Sequence, residues 1–142
     1  MKWAVLAIRI VLAGMFLYAG FIKAGASEEF ALALVPFTIL PAEWAGAFAV
    51  ILAWTEIVAG LLLLIPRIYP LGAALILLLA GVFIGALGWA LANGIIVDCA
   101  CFGRDEAPSA IKMVWAIVRD VVIGAASLAV LAWAFYKRAG RQ

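Results

Sequence analysis

Long apolar stretches separated by short polar segments are the main feature of this chain. Four of them are about 20 residues long, the length that an α-helix needs to cross the hydrocarbon core of a bilayer. The predicted spans cover residues 3–22, 44–65, 71–91 and 113–136. We therefore expect an all-α membrane protein, a four-transmembrane-helix bundle that forms a single integral membrane domain over residues 1–142.

The segments between the spans carry helix and turn signals. In residues 24–42, two glutamates follow Ser27, an order typical of a helix N-terminus, and two prolines come later. We expect a short interfacial helix or re-entrant segment there, which could form a lid. A tight turn is predicted at 66–70, and residues 93–112 form a loop that begins at Asn93-Gly94 and has a capping signal at Pro108-Ser109.

Small residues in the first and third spans have separate interpretations. Gly81, Gly85 and Gly88 recur at intervals of four and three, which favours close helix packing. The first span is followed by Ala24-Gly25-Ala26, which resembles a signal-peptidase site. A signal core of about 20 apolar residues interrupted by an arginine is unusually long, so we expect this span to be retained.

Composition supports a membrane location. The chain is 70% hydrophobic and 13% charged, with a mean hydropathy of +1.25, whereas soluble domains are about half apolar and one quarter charged. A water-soluble globule is therefore excluded. The net charge of +2 is small and scattered, and nucleic-acid binding needs a basic patch. The expected surroundings are a lipid bilayer, with no nucleic-acid partner.

The charges differ between the two sides of the bundle. Four spans place both termini and the 66–70 turn on one side, with five basic and no acidic residues: Lys2, Arg67, Lys137, Arg138 and Arg141. The other side carries Lys23, Arg104 and Lys112 against Glu28, Glu29, Glu43, Asp98, Asp105 and Glu106. Basic loops favour the cytoplasm. We expect cytoplasmic termini and an extracytoplasmic 93–112 loop, which in a bacterial inner membrane faces the oxidising periplasm.

Cys99 and Cys101 are the only cysteines in the chain. A disulfide across one intervening residue departs from relaxed geometry, and strained disulfides are more readily reduced. A bridge that closes so small a loop also adds little stability. The pair therefore favours thiol–disulfide exchange, in which one cysteine forms a mixed disulfide and the other resolves it. Arg104 would favour a thiolate, whereas Asp98 would oppose it.

Two other interpretations of the cysteines stay open. Two thiolates can hold a soft metal ion, although the chain has no histidine and a closed zinc site would need two further ligands. In a non-catalytic membrane subunit or chaperone that docks a partner, the cysteines would be dispensable. Within the redox interpretation, both cysteines lie on one loop, so electrons must pass to a quinone or to another thiol protein on the same face.

Four charged residues fall inside the predicted spans, where each needs a partner. Arg9 and Glu56 have similar depths when counted from the cytoplasmic ends, which predicts an intramembrane ion pair.

Arg119 could hold a quinone carbonyl or a cysteine thiolate, and Asp120 could pair with Lys23 or Arg119. A quinone would need a slot between helices near Arg119 and an aromatic residue such as Phe102 or Trp115.

The loop motif resembles that of a known family. Residues 98–103, Asp-Cys-Ala-Cys-Phe-Gly, are similar to the Asp-Cys-Gly-Cys-Phe-Gly hallmark of the MauE branch of DoxX-like membrane proteins, with alanine in place of the central glycine. Three further parts of the chain are similar: the first span from Arg9 to Lys23, Glu56 followed by Gly60, and Trp115 followed by Arg119-Asp120 where the family has Arg-Asn.

The resemblance implies a four-helix membrane protein that works with a thioredoxin-like periplasmic partner to mature disulfide-containing client proteins. The namesake client of the family is the small subunit of methylamine dehydrogenase. We expect Cys99 and Cys101 to be catalytic, with supporting residues Asp98, Phe102, Gly103, Arg104, Arg119 and Asp120. No resident metal is expected. The client, the electron acceptor and the oligomeric state stay open.

Overall fold

The computed structural model describes residues 1–35, 41–97 and 109–140. In these ranges the chain forms five α-helices: α1 Lys2–Gly25, α2 Ser27–Leu34, α3 Ala42–Leu64, α4 Tyr69–Ala92 and α5 Ala110–Ala139. All except α2 are long and apolar enough to cross a membrane. At about 1.5 Å per residue, even α3 is about 35 Å long. The predicted four-helix membrane bundle is confirmed.

The four long helices are arranged in a ring in chain order. α1 packs against α3, α3 against α4, and α4 against α5, whereas α5 has few contacts with α1. Glycines allow the closest approaches: a Cβ atom added at Gly20 would lie 2.7 Å from Ile57 Cγ1, and one at Gly72 would lie 2.8 Å from the Leu63 nitrogen. These positions fix how α1 and α4 sit on α3.

The glycines of the third span do not have the packing role predicted for them. A Cβ atom added at Gly81, Gly85 or Gly88 would meet no atom of the described residues within 4 Å. The spacing of small residues was the same as in packed helices, but it does not specify which face of a helix meets a neighbour. The face that packs is decided by the bulkier side chains around it, such as the fully buried Ile76 and Leu87.

The predicted short helix between the first two spans is α2. Its N-cap is Ala26, which makes no side-chain capping bond, so Ser27 begins the helix and is not its cap. Phe30 is 3% exposed, and α2 packs mainly against α3. The short helix therefore follows the end of α1 and is held mainly against α3.

Strong local signals mark the helix ends on either side of the cysteine motif. α4 is followed by Gly94 in a left-handed conformation, φ +69°. The Ile95 N–H donates to the Ala90 carbonyl at 2.9 Å, and the Gly94 N–H donates to the Leu91 carbonyl at 3.1 Å, the pattern of a Schellman motif. α5 begins after Ser109, whose hydroxyl accepts from the Lys112 N–H at 3.3 Å.

A small apolar cluster joins these two helix ends. Its buried members come from α4, from the residues that follow it and from the first turns of α5: Leu87, Ala90, Val97, Met113 and Ala116. Val97 and Met113 are 3% and 1% exposed. Both chain ends that lead into residues 98–108 are therefore held by packing against the bundle.

Candidate functional site

The cysteine motif lies outside the described residues. This applies to both predicted catalytic cysteines and to four supporting residues: Cys99, Cys101, Asp98, Phe102, Gly103 and Arg104. The remaining predicted site residues, Arg119 and Asp120 on α5 and Arg9 and Glu56 on α1 and α3, are described. They are divided between two separate sites in the bundle.

Glu56 forms an ion pair with Lys23, the only fully enclosed pair of opposite charges among the described residues. Lys23 Nζ lies 2.5 Å from Glu56 Oε1, and both side chains are 2% exposed. The ammonium group also lies 5.1 Å from the centre of the Phe30 ring and 4.9 Å from that of Phe83, within the range of cation–π attraction. Side chains from α1, α2, α3 and α4 thus surround one buried cation.

The Arg119–Asp120 pair adds α5 to this group. Arg119 donates through Nε and Nη2 to Asp120 Oδ1, at 3.1 and 2.9 Å. The Arg119 side chain is 28% exposed, whereas that of Asp120 is 6% exposed. Of the two partners predicted for Asp120, the structure shows Arg119. Lys23, Glu56, Arg119 and Asp120 together are called the charged cluster below.

A small cavity lies at the centre of the charged cluster. Its volume is about 30 Å³, and all four charged side chains line it, together with apolar residues of α1, α4 and α5. Glu56 Oε2 and Asp120 Oδ2 are buried and have no hydrogen-bond partner among the described residues. The described residues contain no group of three His, Cys, Asp or Glu that could hold a metal ion. The cluster is therefore an ion-paired site with two unpaired carboxylate oxygens.

The predicted ion pair between Arg9 and Glu56 is wrong. Arg9 donates to the Leu63 carbonyl through Nε at 3.0 Å and Nη2 at 2.7 Å, and its guanidinium carbon lies 4.1 Å from the centre of the Tyr69 ring. Leu63 belongs to the last turn of α3, where carbonyls lack intrahelical partners. Arg9 therefore donates its hydrogen bonds to a carbonyl oxygen in the last turn of α3, and it needs no carboxylate as a partner.

The register of α1 on α3 explains the error. Gly20 packs against Ala53 and Ile57, which puts Glu56 beside the last turns of α1. Arg9 lies eleven residues before Gly20, a separation of about 16 Å along a helix. Depths counted from the predicted span ends did not reveal this offset between α1 and α3. The sequence signal for this register was a pair of glycines, Gly20 on α1 and Gly60 on α3. Because neither has a side chain, the two helices approach closely at these points, which fixes the register.

A second, larger opening lies between α1 and α5, where the ring of helices has few contacts. This groove has a volume of about 520 Å³ and an almost wholly apolar lining. Its walls are residues of α1 from Ala7 to Met15 and of α5 from Trp115 to Ala126. Arg119 is the only charged residue in that lining, and Met15, Arg119 and Ile123 also line the cavity of the charged cluster. The two spaces are therefore adjacent and share part of their lining.

The cavity of the charged cluster lies toward the side of the bundle where residues 98–108 connect α4 to α5. Lys23 is two residues from the end of α1. Arg119 is nine residues after the start of α5, or about 14 Å along the helix. Because the four long helices alternate in direction, the end of α1 and the start of α5 lie on the same side. The charged cluster is therefore in the half of the membrane nearer the cysteine motif.

Comparisons with known proteins give one match. A family model described as methylamine utilisation protein MauE matches residues 1–135. No curated protein and no solved structure matches the chain. The match extends from the first residue through nearly all of α5, and so includes the cysteine motif, the charged cluster and the groove. The chain belongs to the MauE family of membrane proteins.

Proposed function

We propose that this protein carries out thiol–disulfide exchange through Cys99 and Cys101 with a thioredoxin-like extracytoplasmic partner. In this role it helps to mature disulfide-containing proteins, and the family name suggests a client of the methylamine dehydrogenase type. The observation that carries the proposal is the sequence itself: the only two cysteines are separated by one residue within the family's loop motif. Membership of the family over residues 1–135 supports it.

The exchange proceeds in two balanced steps. A thiolate of the reduced partner attacks one sulfur of the Cys99–Cys101 disulfide and forms a mixed disulfide, while the other cysteine leaves as a thiolate. The second thiol of the partner then attacks the mixed disulfide. The partner leaves oxidised, and Cys99 and Cys101 have gained two electrons and, after protonation, two protons.

Reoxidation of the pair requires an acceptor, and the α1–α5 groove favours a membrane quinone. Two thiols give up two electrons and two protons, which convert a quinone to a quinol and restore the disulfide. The groove's volume is within the range of small-molecule sites, about 300–1,000 Å³, and it opens where lipid would be. Arg119 and the 69% exposed Trp115 line it. These are the residue types predicted for a quinone slot.

The first test is a redox titration of the cysteine pair in membranes, read by mass-shift thiol labelling at a series of poised potentials. We expect one reversible two-electron transition at a potential more oxidising than that of a structural disulfide, which is typically below about −300 mV. Thiols that never pair would contradict the proposal. Thiols that react only after a chelator is added would indicate a soft-metal site instead.

A second test uses single variants. In Cys99→Ser or Cys101→Ser, the remaining cysteine can form a mixed disulfide, but the cysteine that would resolve it is missing. One of the two variants should therefore accumulate a covalent adduct with a thioredoxin-like protein. Non-reducing electrophoresis followed by mass spectrometry identifies the adduct, and the double variant is the control. Full client maturation in both single variants would instead favour a non-catalytic docking subunit.

A further inference from the structure

The charged cluster has two features that a structural ion-pair network does not need. Glu56 and Asp120 are 2% and 4% exposed, yet each has one carboxylate oxygen with no hydrogen-bond partner in the described parts of the chain. Both residues line the same cavity of about 30 Å³. An unsatisfied buried carboxylate oxygen is costly, so the cavity is expected to contain something that donates hydrogen bonds to both.

A single water molecule has the right size and chemistry. The cavity's volume of about 30 Å³ exceeds the roughly 10–15 Å³ that one water needs, and the two buried carboxylates with unpaired oxygens line it. One water has two O–H donors, so it can satisfy Glu56 Oε2 and Asp120 Oδ2 together. It would thereby join the Lys23–Glu56 pair to the Arg119–Asp120 pair.

The charges of the described residues that face the cavity are balanced. The groups that face the cavity are Lys23 from α1, Glu56 from α3, and Arg119 and Asp120 from α5, so two positive charges balance two negative ones. The other neighbours of Lys23 are the aromatic faces of Phe30 from α2 and Phe83 from α4. Adding one proton to either carboxylate changes the cluster's net charge from zero to +1.

Among the described residues, Arg119 is the only charged side chain that lines the groove beside the cluster. The other lining residues in the described ranges carry no carboxylate, hydroxyl or thiol group. Asp120, which follows Arg119 in α5 and accepts a hydrogen bond from it at 2.9 Å, carries a described carboxylate next to this lining. The cluster therefore places two carboxylates beside the groove, where they can exchange protons with a reaction that takes them up.

We propose that Glu56, Asp120 and a water between them form a proton-transfer site that serves the α1–α5 groove. This inference rests on the proposed function, because reduction of a quinone there takes up two protons at its oxygens. Oxidation of the two cysteine thiols releases two protons, so the overall reaction balances and the site only carries protons. Lys23 and Arg119 are positioning residues, since each acts by holding one carboxylate.

The test is infrared spectroscopy of the protein in lipid bilayers over a series of pH values. We expect a carbonyl band of a protonated carboxyl group that titrates, shifts in D₂O and is lost in Asp120→Asn or Glu56→Gln. Glu43→Gln is the matched control, because Glu43 is an exposed carboxylate in the first turn of the same helix as Glu56. A band that survives both cluster variants, or no titrating band, would overturn the proposal.

A kinetic measurement separates this proposal from the proposed function. Pre-reduced protein is mixed with a short-chain quinone, and quinone absorbance is followed in a single turnover. Loss of a positioned acid or base typically slows a reaction about 10²- to 10⁴-fold, so Asp120→Asn should slow quinone reduction at least tenfold. Glu43→Gln, the matched control, should change neither this rate nor the exchange of the cysteine pair with a small dithiol. If the cysteine pair of the wild-type protein shows no redox activity, the proposed function is refuted. The infrared measurement then still tests whether Glu56 and Asp120 exchange protons.

If Glu56→Gln does not fold, two variants keep the test decisive. Asp120→Asn leaves the buried Lys23–Glu56 pair intact, and Lys23→Met with Glu56→Gln removes both charges of that pair together. We expect the infrared band to be lost or shifted in each. Equal quinone reduction rates in wild type and Asp120→Asn, with an unchanged pH profile, would show that the cluster is only a structural clamp.

Discussion

Lys23 and Glu56 depend on each other because neither can reach water. Removing one partner of a buried pair leaves an uncompensated charge, which typically costs about 3–5 kcal/mol. Glu56→Gln should therefore lower the free energy of unfolding by about that amount, because Lys23 remains 2% exposed between two aromatic rings. The measurement is reversible unfolding in mixed micelles, followed by circular dichroism.

The double variant Lys23→Met with Glu56→Gln is the internal check on this prediction. It removes both charges and replaces the ammonium with an apolar group of similar length, so much of the lost stability should return. Glu43→Gln should change the free energy of unfolding by less than about 0.5 kcal/mol, as is usual for surface substitutions. If Glu56→Gln is equally harmless, the pair is not buried as described.

The choice of partner for Glu56 could not be obtained from single residues. The sequence indicates that a charge inside a span needs a partner, and it identified Arg119 as one of two partners for Asp120. It predicted Arg9 as the partner of Glu56, whereas the structure shows Lys23, because the choice depends on how far α3 is shifted along α1. That shift is set by close contacts at Gly20 and Gly60, a property of two helices together.

At the scale of the helices, close approach at glycine separates packed faces from open ones. Gly20→Ala would place a Cβ atom 2.7 Å from Ile57 Cγ1 and 3.0 Å from the Ala53 carbonyl oxygen. Overpacking of this kind costs about 1–3 kcal/mol. Gly81→Ala, the matched control, meets no described atom within 4 Å and gains helix propensity, so its stability should be equal or higher. Unfolding of both variants in the same micelles makes the comparison.

Equal losses in the two variants would contradict the packing of α1 on α3. A loss at Gly81 alone would indicate that this exposed face of α4 meets another protein chain in the assembled state. Because the same substitution is made in two membrane-spanning helices, differences in intrinsic propensity cancel, and the result reports the contact alone.

The start of α5 provides a second test at this scale. Ser109→Ala removes the hydroxyl that accepts from the Lys112 N–H, and loss of such a cap costs about 0.5–2 kcal/mol. Because the cap lies directly after residues 98–108, hydrogen exchange should also increase in the first turn of α5. Ser27→Ala is the control, since Ser27 is not a capping residue. Equal exchange rates in both variants would refute the capping role.

The helices themselves were predictable because the signals that define them are local. Each predicted span agrees with a helix to within three residues at either end, because apolar runs end at recognisable breakers such as Pro66 and Gly94. The short helix α2 was also expected, although the sequence indicated Ser27 as its cap and the structure has Ala26 at that position. The groove between α1 and α5 had no local signal, since it arises where two helices distant in the chain fail to pack closely.

At the scale of the whole molecule, charge distribution predicts how the bundle is oriented. The side with the termini carries five basic and no acidic residues, whereas the opposite side carries three basic and six acidic residues. Because positive loops are retained in the cytoplasm, residues 98–108 should be extracytoplasmic. This orientation is also the one in which a cysteine pair meets an oxidising compartment.

A membrane-impermeant thiol reagent applied to intact, mildly reduced cells tests this orientation. We expect Cys99 and Cys101 to be labelled without permeabilisation. The control is Arg67→Cys in a chain with both native cysteines replaced by serine, because Arg67 lies in the turn between α3 and α4 at the opposite end of the bundle. That cysteine should be labelled only after the membrane is opened. The reverse pattern would place the redox pair in a reducing compartment, where a disulfide would not persist and the proposed exchange with an extracytoplasmic partner would fail.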